Sequence, residues 1–201
     1  MKFLVYFMKT IIITLLLAIS TCTFTAAQNL QEGQKRWSAE SPLTIDDFRI
    51  KINDQYQEPV YSQFVISHAI NGFDFLKKNL NQKIDNVFYG NASWIDTTRV
   101  EDLQKNIDFQ QLQFDLAEVH TRIFRKRVVE SKGQVTKGFD FINQISDDIM
   151  KELSERRLQL IKETRHGDQE EKLADWKAKI ASELEELEEF SYENKKPIKK
   201  V

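Results

Sequence analysis

The order of patterns along this 201-residue chain predicts an α+β fold, a small antiparallel sheet of three or four strands followed by three helices. Two observations carry that expectation. Between Val60 and Trp94 the apolar residues are β-branched and aromatic, and they alternate or cluster in short runs bounded by turn residues, as half-buried strands require. From Thr98 onward the apolar residues instead recur at three-four spacing over three long stretches, as the buried faces of helices do.

The N-terminus opens Met1-Lys2-Phe3, places Lys9 before the apolar run from Ile11 to Ile19 and ends in the small residues Thr25, Ala26 and Ala27, the pattern of a secretory signal peptide over residues 1–27. The apolar run is short for a membrane span, so no stable span is expected after signal cleavage, and the mature chain is expected to be secreted or periplasmic. Cys22 follows Ile19-Ser20-Thr21 in a way that imitates a lipoprotein cleavage site, with Thr21 a poor residue before it. Because Cys22 is the only cysteine, a mature chain starting at Gln28 has neither a disulfide nor a thiolate ligand, and its stability must come from packing. Its 174 residues suit one domain with a proper core. Without Lys2 and Lys9 it carries 27 basic and 31 acidic side chains, a formal charge of −4. That balance argues against a nucleic-acid partner. The run Arg122, Arg125, Lys126, Arg127 reads as a solvated helix end whose cations suit the helix dipole.

Residues 28–40 are polar and aperiodic and are expected to form a loose leader, with Trp37 anchoring its end and a single domain following over residues 41–190. Pro42 blocks a helix through Leu43–Ile52, leaving a turn or short strand that Thr44 or Asp46 can cap. Phe64, Ile66, His68 and Ile70 alternate as a strand, and Asn71-Gly72 marks a turn. Phe73–Leu76 and Asp85–Trp94, the latter with Val87-Phe88-Tyr89, supply two more strand-like runs. The Asn91-Ala92-Ser93 sequon matters only in a eukaryotic secretory route.

Thr98 with Glu101 forms a capping box for the first helix, along which Leu103, Ile107, Phe114, Ala117, Ile123 and Phe124 recur. Gly133 and Gly138 break the pattern. Ile142, Ile145, Ile149, Leu153 and Leu160 then mark a second helix ending near His166-Gly167. Asp168 and Glu171 can cap the third, whose stripe is Leu173, Trp176, Ile180, Leu184 and Leu187, with an acidic cluster from Glu183 to Glu189. Two heptads are too few for a coiled-coil seam, so the stripe reads as an internal packing face. Residues 191–201 are expected to be a disordered tail.

The first helix also carries the motif of greatest interest. Gln111-Leu112, Phe114-Asp115-Leu116, Glu118-Val119 and Arg122 match the pattern His-Glu-Gln-Leu/Gly-His-Phe-Asp-Ile-x-Glu-hydrophobic-x-x-Arg. Leu160-Ile161-Lys162-Glu163-Thr164-Arg165-His166-Gly167, followed by Trp176 and Ile180, matches a second pattern, Tyr-Asp-x-Glu-Thr-x-His-Gly before a Trp-bearing helix. Leu43-Thr44-Ile45-Asp46-Asp47-Phe48 and Ser93-Trp94 are weaker matches. In these elements the chain resembles a domain-of-unknown-function family of bacterial, predicted secreted zinc-dependent proteases, over roughly Trp37 to Phe190. The resemblance implies a zincin-like fold, in which two His at i and i+4 bind zinc and the Glu after the first serves as general base. In this chain those positions hold Phe109, Gln113 and Gln110, and His166 stands where the resemblance places a third ligand.

Phe109, Gln110, Gln113 and His166 are therefore read as a vestigial site, with no catalytic residue, no metal ligand and no cofactor assigned. Glutamine has no lone pair that titrates near neutrality, so Gln110 cannot take a proton from an attacking water. A ligand set of Asp115, Glu118 and His120 fails on geometry, because residues five apart point to different helix faces. His68 and His120 read as core histidines, and the pairs Asp46-Asp47 and Asp147-Asp148 as ordinary acidic neighbours. Neither a Gly-x-Ser-x-Gly elbow nor a phosphate loop occurs. The reading that results is a non-catalytic relative of the metalloprotease family with a binding or structural role toward an unknown protein or envelope partner. The alternative is a zinc-dependent peptidase or hydrolase using other ligands.

Overall fold

A computed structural model describes residues 30–51 and 57–198, so the expected signal peptide and Cys22 lie outside the described residues. Its strands are β1 (Gln34–Arg36), β2 (Val60–Tyr61), β3 (Phe64–His68), β4 (Ile84–Tyr89) and β5 (Trp94–Ile95). The helices are α1 (Leu103–Glu130), α2 (Asp140–Thr164) and α3 (Glu170–Glu186). The architecture is α+β, as the patterning predicts. β4 lies between β1 and β3 in one antiparallel sheet, and β2 pairs with β5 as a separate antiparallel ribbon.

The run from Val60 to Ile70, expected as one strand, is broken at Ser62-Gln63. There the Gln63 N–H donates to the Ser93 hydroxyl at 2.9 Å, and Ser93 in turn donates to the Tyr89 carbonyl at 2.7 Å. Side-chain bonds of this kind compete with the ladder and split it into two pieces. Phe73–Leu76, also expected as strand, instead falls in a 3-10 turn spanning Gly72–Leu76. Asn71 accepts from the Phe73 N–H and Asp74 from the Asn71 N–H, so local capping overrides the apolar content and leaves Phe73 and Leu76 each 83 % exposed.

Helix α1 is the axis of the domain, with 16 of its 28 residues buried and none exposed from Phe109 to Arg125. A stretch covered all round cannot be amphipathic in the usual sense, which accounts for the polar residues on its hidden faces. One apolar cluster joins Phe109, Leu112 and Leu116 to Leu153 and Leu160 of α2 and to Trp176 and Ile180 of α3. A second joins Ile107 and Phe114 to Phe48, Phe88 and Ile95, and a third joins Phe124 and Val128 to Ile84, Phe141 and Ile149. The α3 stripe thus packs internally, as its length suggests.

Helix boundaries move where a competing bond claims the expected cap. Thr98 donates its hydroxyl to Asp96 at 2.6 Å, so the cap of α1 falls to Asp102, whose carboxylate accepts from the Lys105 N–H at 2.9 Å. Asp168 pairs with Lys105 at 2.7 Å, and α3 starts after Gln169 with no side-chain cap. Residues 34–37 of the expected leader and 191–198 of the expected tail are also tied into the fold, which their composition does not suggest. Within the expected leader, β1 pairs with β4, Arg36 pairs with Asp85 at 2.8 Å and Trp37 is buried. Within the expected tail, the Asn81 side chain donates to the Ser191 carbonyl at 2.9 Å and the Ile198 N–H to the Lys78 carbonyl at 3.1 Å. A polar segment folds when fixed partners answer its backbone groups, which composition does not record.

The basic run at the end of α1 also departs from expectation. Arg122 and Arg125 are buried, and Glu118 accepts from both, at 3.3 and 2.8 Å. Arg125 further donates to the Ile84 carbonyl of β4 at 2.8 Å and to the Phe190 carbonyl at 3.0 Å, while Arg122 reaches the Leu184 carbonyl at 2.6 Å and Glu188 at 2.8 Å. Removing the one carboxylate that two buried cations share leaves charge in a low-dielectric interior. Glu118→Ala is expected to lower unfolding stability by about 3–5 kcal/mol, against about 0.5 kcal/mol or less for Lys126→Ala on the exposed side of the same turn. Urea denaturation compares the two, and equal losses would refute the structural role of Glu118.

Candidate functional site

The four positions singled out on α1 and after α2 come together. Phe109, Gln110, Gln113 and His166 all line one cleft of about 560 Å³, bounded also by β2 and by α2. Helical spacing puts Phe109, Gln110 and Gln113 on one face of α1. His166 is delivered by the end of α2, where Arg165 and His166 adopt left-handed φ of 48° and 61° and Gly167 follows at 94°. Gly167 is needed twice over. Its φ suits glycine, and a Cβ there would stand 3.1 Å from the Phe109 ring. Phe109 is 4 % exposed and packs against this turn, whereas His166 is exposed at the lip.

The polar floor is a chain of amides ending in a cation. Gln113 donates through Nε2 to the Gln110 side-chain oxygen at 3.2 Å and accepts at Oε1 from Arg157 Nε at 2.8 Å. Arg157 also donates weakly to the Ser62 carbonyl at 3.4 Å, and its guanidinium lies 5.3 Å from the centre of the Phe64 ring. Burial pulls the Arg157 pKa below its ordinary value, and the Tyr61 phenol opposes that pull. Among the described residues, no three His, Cys, Asp or Glu side chains gather closely enough to hold a metal ion.

Sequence reasoning missed Arg157 and Ser62. Arg157 was legible: it follows Leu153 by four residues and precedes Leu160 by three, so a cation sits on the buried stripe of α2, where cations are rare. Ser62 gives no such signal, since only the break between β2 and β3 turns it inward.

The remaining candidates lie elsewhere and serve the fold. His120 is buried, with Nδ1 2.9 Å from the Leu116 carbonyl, and burial lowers its pKa. His68 packs edge-on against Phe124, and burial lowers its pKa too. Asp47 accepts from Lys35 and caps its own turn through Thr44, while Asp147 and Asp148 are exposed. The residues of α1 that match the metalloprotease pattern also face away from the cleft's polar floor. Gln111 accepts from the Leu43 N–H at 2.7 Å, and Asp115 accepts from Trp37 Nε1 at 2.7 Å and Gln111 Nε2 at 2.6 Å. Glu118 and Arg122 belong to the buried ionic cluster. On α1 the matching positions that bond to other elements are scaffold, and the departures from the pattern line the cleft, together with His166.

Burial, the largest influence on Asp115, raises its carboxyl pKa, and Glu118 adds to the rise while the Trp37 and Gln111 donors oppose it. A raised folded pKa means that the folded state holds the proton longer, so this group's contribution to stability falls as pH climbs from the ordinary aspartate range through the raised value. Asp115→Asn keeps an oxygen for both donors and removes that slope. Its stability relative to the parent is expected to improve as pH climbs above about 4, the ordinary aspartate value, and a difference independent of pH would sink the assignment.

Phe109→His with Gln113→His would create an i, i+4 imidazole pair beside His166, at an expected packing cost of about 2–4 kcal/mol at position 109. The Arg157 guanidinium faces residue 113 and repels a divalent cation there. Calorimetric titration is therefore expected to find zinc bound at least about tenfold more tightly when Arg157→Ala is added to the pair. Equal affinities, or affinity unchanged by His166→Ala, would refute this geometry.

Comparison of the chain with protein-family models, with curated proteins and with solved structures finds no match.

Proposed function

We propose that this chain is a non-catalytic relative of zincin-like metalloproteases that acts outside the cytoplasm as a binding protein, with the cleft between α1 and α2 as its binding site. What supports the reading is that the four positions which the resemblance assigns to a zinc site line one cleft and there carry neither a ligand pair nor a general base. At the position of a general base stands Gln110, which cannot accept a proton near neutrality. At the positions of two ligands stand the buried Phe109 ring and Gln113, the latter already bonded to Arg157. A zinc ion at that spot would meet a fixed guanidinium, and charge repulsion at such range outweighs what His166 alone could supply.

Two further observations favour a binding role. The cleft volume falls in the range of small-molecule sites, and Gln110, Gln113 and Arg157 on its floor are held in place by hydrogen bonds. The charged start, apolar run and small-residue end of residues 1–27 support export, and no helix among the described residues is long and apolar enough to cross a membrane.

The mature chain is expected to gain no thermal stability from zinc, because a site of submicromolar affinity would add several kcal/mol at saturation by linkage. One equivalent of zinc surviving mild chelation, or cleavage of an unstructured protein substrate abolished by chelator, would overturn the reading. Intact mass of the exported protein is expected to place its start near Gln28, and a mass carrying acylated Cys22 would replace that with a lipoprotein.

A further inference from the structure

Arg157 differs from the other arginines packed around the helices. Arg122 and Arg125 share Glu118, Arg127 pairs with Glu152 at 2.9 Å and Arg156 with Glu183 at 2.9 Å. Arg157 has no carboxylate within 4 Å among the described residues, and its acceptors, the Gln113 amide oxygen and the Ser62 carbonyl, are both neutral. Neutral acceptors answer its hydrogen bonds and leave its charge uncompensated. They also hold it still. Gln113 fixes the Nε edge and Phe64 lies near the guanidinium, so Nη1 is left without an acceptor among the described residues.

A second group in the same lining is unanswered. Ser62 is fully buried, and its hydroxyl has no hydrogen-bond partner among the described residues. A buried hydroxyl without a partner costs free energy that a bound acceptor would recover. The rest of the wall is largely apolar, with Val60, Leu158 and Ile161 around the polar floor.

We propose that the cleft binds the carboxylate of an organic acid, with Arg157 as its counter-ion, Ser62 as a second donor and the acid's apolar body along Val60, Leu158 and Ile161. The proposal rests on the reading of the cleft as a binding site and names its ligand class. A guanidinium with one edge already fixed loses little entropy on taking a carboxylate, and a charge-assisted bond in a half-buried cleft is among the strong ones. A phosphate suits the site less well. The cleft lining holds one arginine, no lysine and, at its rim, the carboxylate-bearing Glu58, so a dianion would lack a second countercharge. The carboxylate could belong to the end of a peptide or to a free acid, since both offer the same group.

The test is calorimetric titration of the intact mature chain with N-acetyl-L-leucine and with N-acetyl-L-leucinamide, two ligands of one shape that differ in charge. The acid is expected to bind at least about thirtyfold more tightly than the amide. Arg157→Gln is expected to bring the acid down to the amide's level, and Ser62→Ala to weaken the acid by a smaller factor. The comparison of acid with amide in the unmodified protein decides the matter even where the Arg157 variant fails to fold. Equal binding of the two ligands, tighter binding of inorganic phosphate, or no binding of either ligand up to about 10 mM would overturn the proposal. Release of free leucine during titration would instead overturn the binding reading beneath it. Separate titrations with N-acetyl-Gly-Gly-Leu and with octanoate assign the source: a tighter peptide points to chain ends, and a tighter octanoate to free acids.

Discussion

Glu118 sits at the centre of the domain with two guanidinium groups, and most of the fold hangs from that arrangement. Through Arg125 it fixes α1 to the Ile84 carbonyl of β4 and to the Phe190 carbonyl after α3, and through Arg122 it reaches Leu184 within α3. A buried carboxylate cannot leave its partners without stranding charge, so sheet, central helix and C-terminal segment hold a common register. The apolar clusters supply most of the driving force, being non-directional. The ionic cluster supplies direction: it decides which turn of α1 faces β4 and where the chain runs after α3.

That division of labour separates the bonds that join sheet, central helix and C-terminal segment from the groups that line the cleft. Trp37, Gln111, Asp115, Glu118 and Arg122 join segments distant in sequence and lie away from the polar floor of the cleft. On the adjacent face, Phe109, Gln110 and Gln113 answer to α2 and to the His166-Gly167 turn. A change among the first group breaks bonds from α1 to the N-terminal segment and to the residues after α3, whereas a change among the second alters the cleft lining and the contacts of α1 with α2. On α1 the polar residues that match the zinc-protease pattern fall in the first group, and the positions that depart from it fall in the second.

Arg157 is the group that sets the character of the cleft. An apolar floor would match the buried Phe109 ring beside it. Instead a cation occupies the floor with its Nε edge fixed by Gln113, and a buried hydroxyl stands unanswered in the same lining. An uncompensated cation and an unpartnered hydroxyl both cost stability where they stand.

The sequence by itself determined the class of fold, the existence of three helices and the meeting of Phe109, Gln110 and Gln113 on one face, because periodicity of 2 and of 3.6 is a local property of the chain. It also indicated that the α3 stripe would pack internally. It misread residues 73–76 and the caps at Thr98 and Asp168, where side chains form local bonds or pair with a distant residue. It read Arg122 and Arg125 as solvated and the chain ends as loose, since the partners that bury them, Glu118, the Ile84 carbonyl, β4 and Asn81, are brought close only by the fold. The bond from Arg157 to Gln113 spans 44 residues, and no spacing rule reaches that far. Only the packing of α2 across α1 could decide that the cation would face the cleft, and so decide what the cleft is suited to hold.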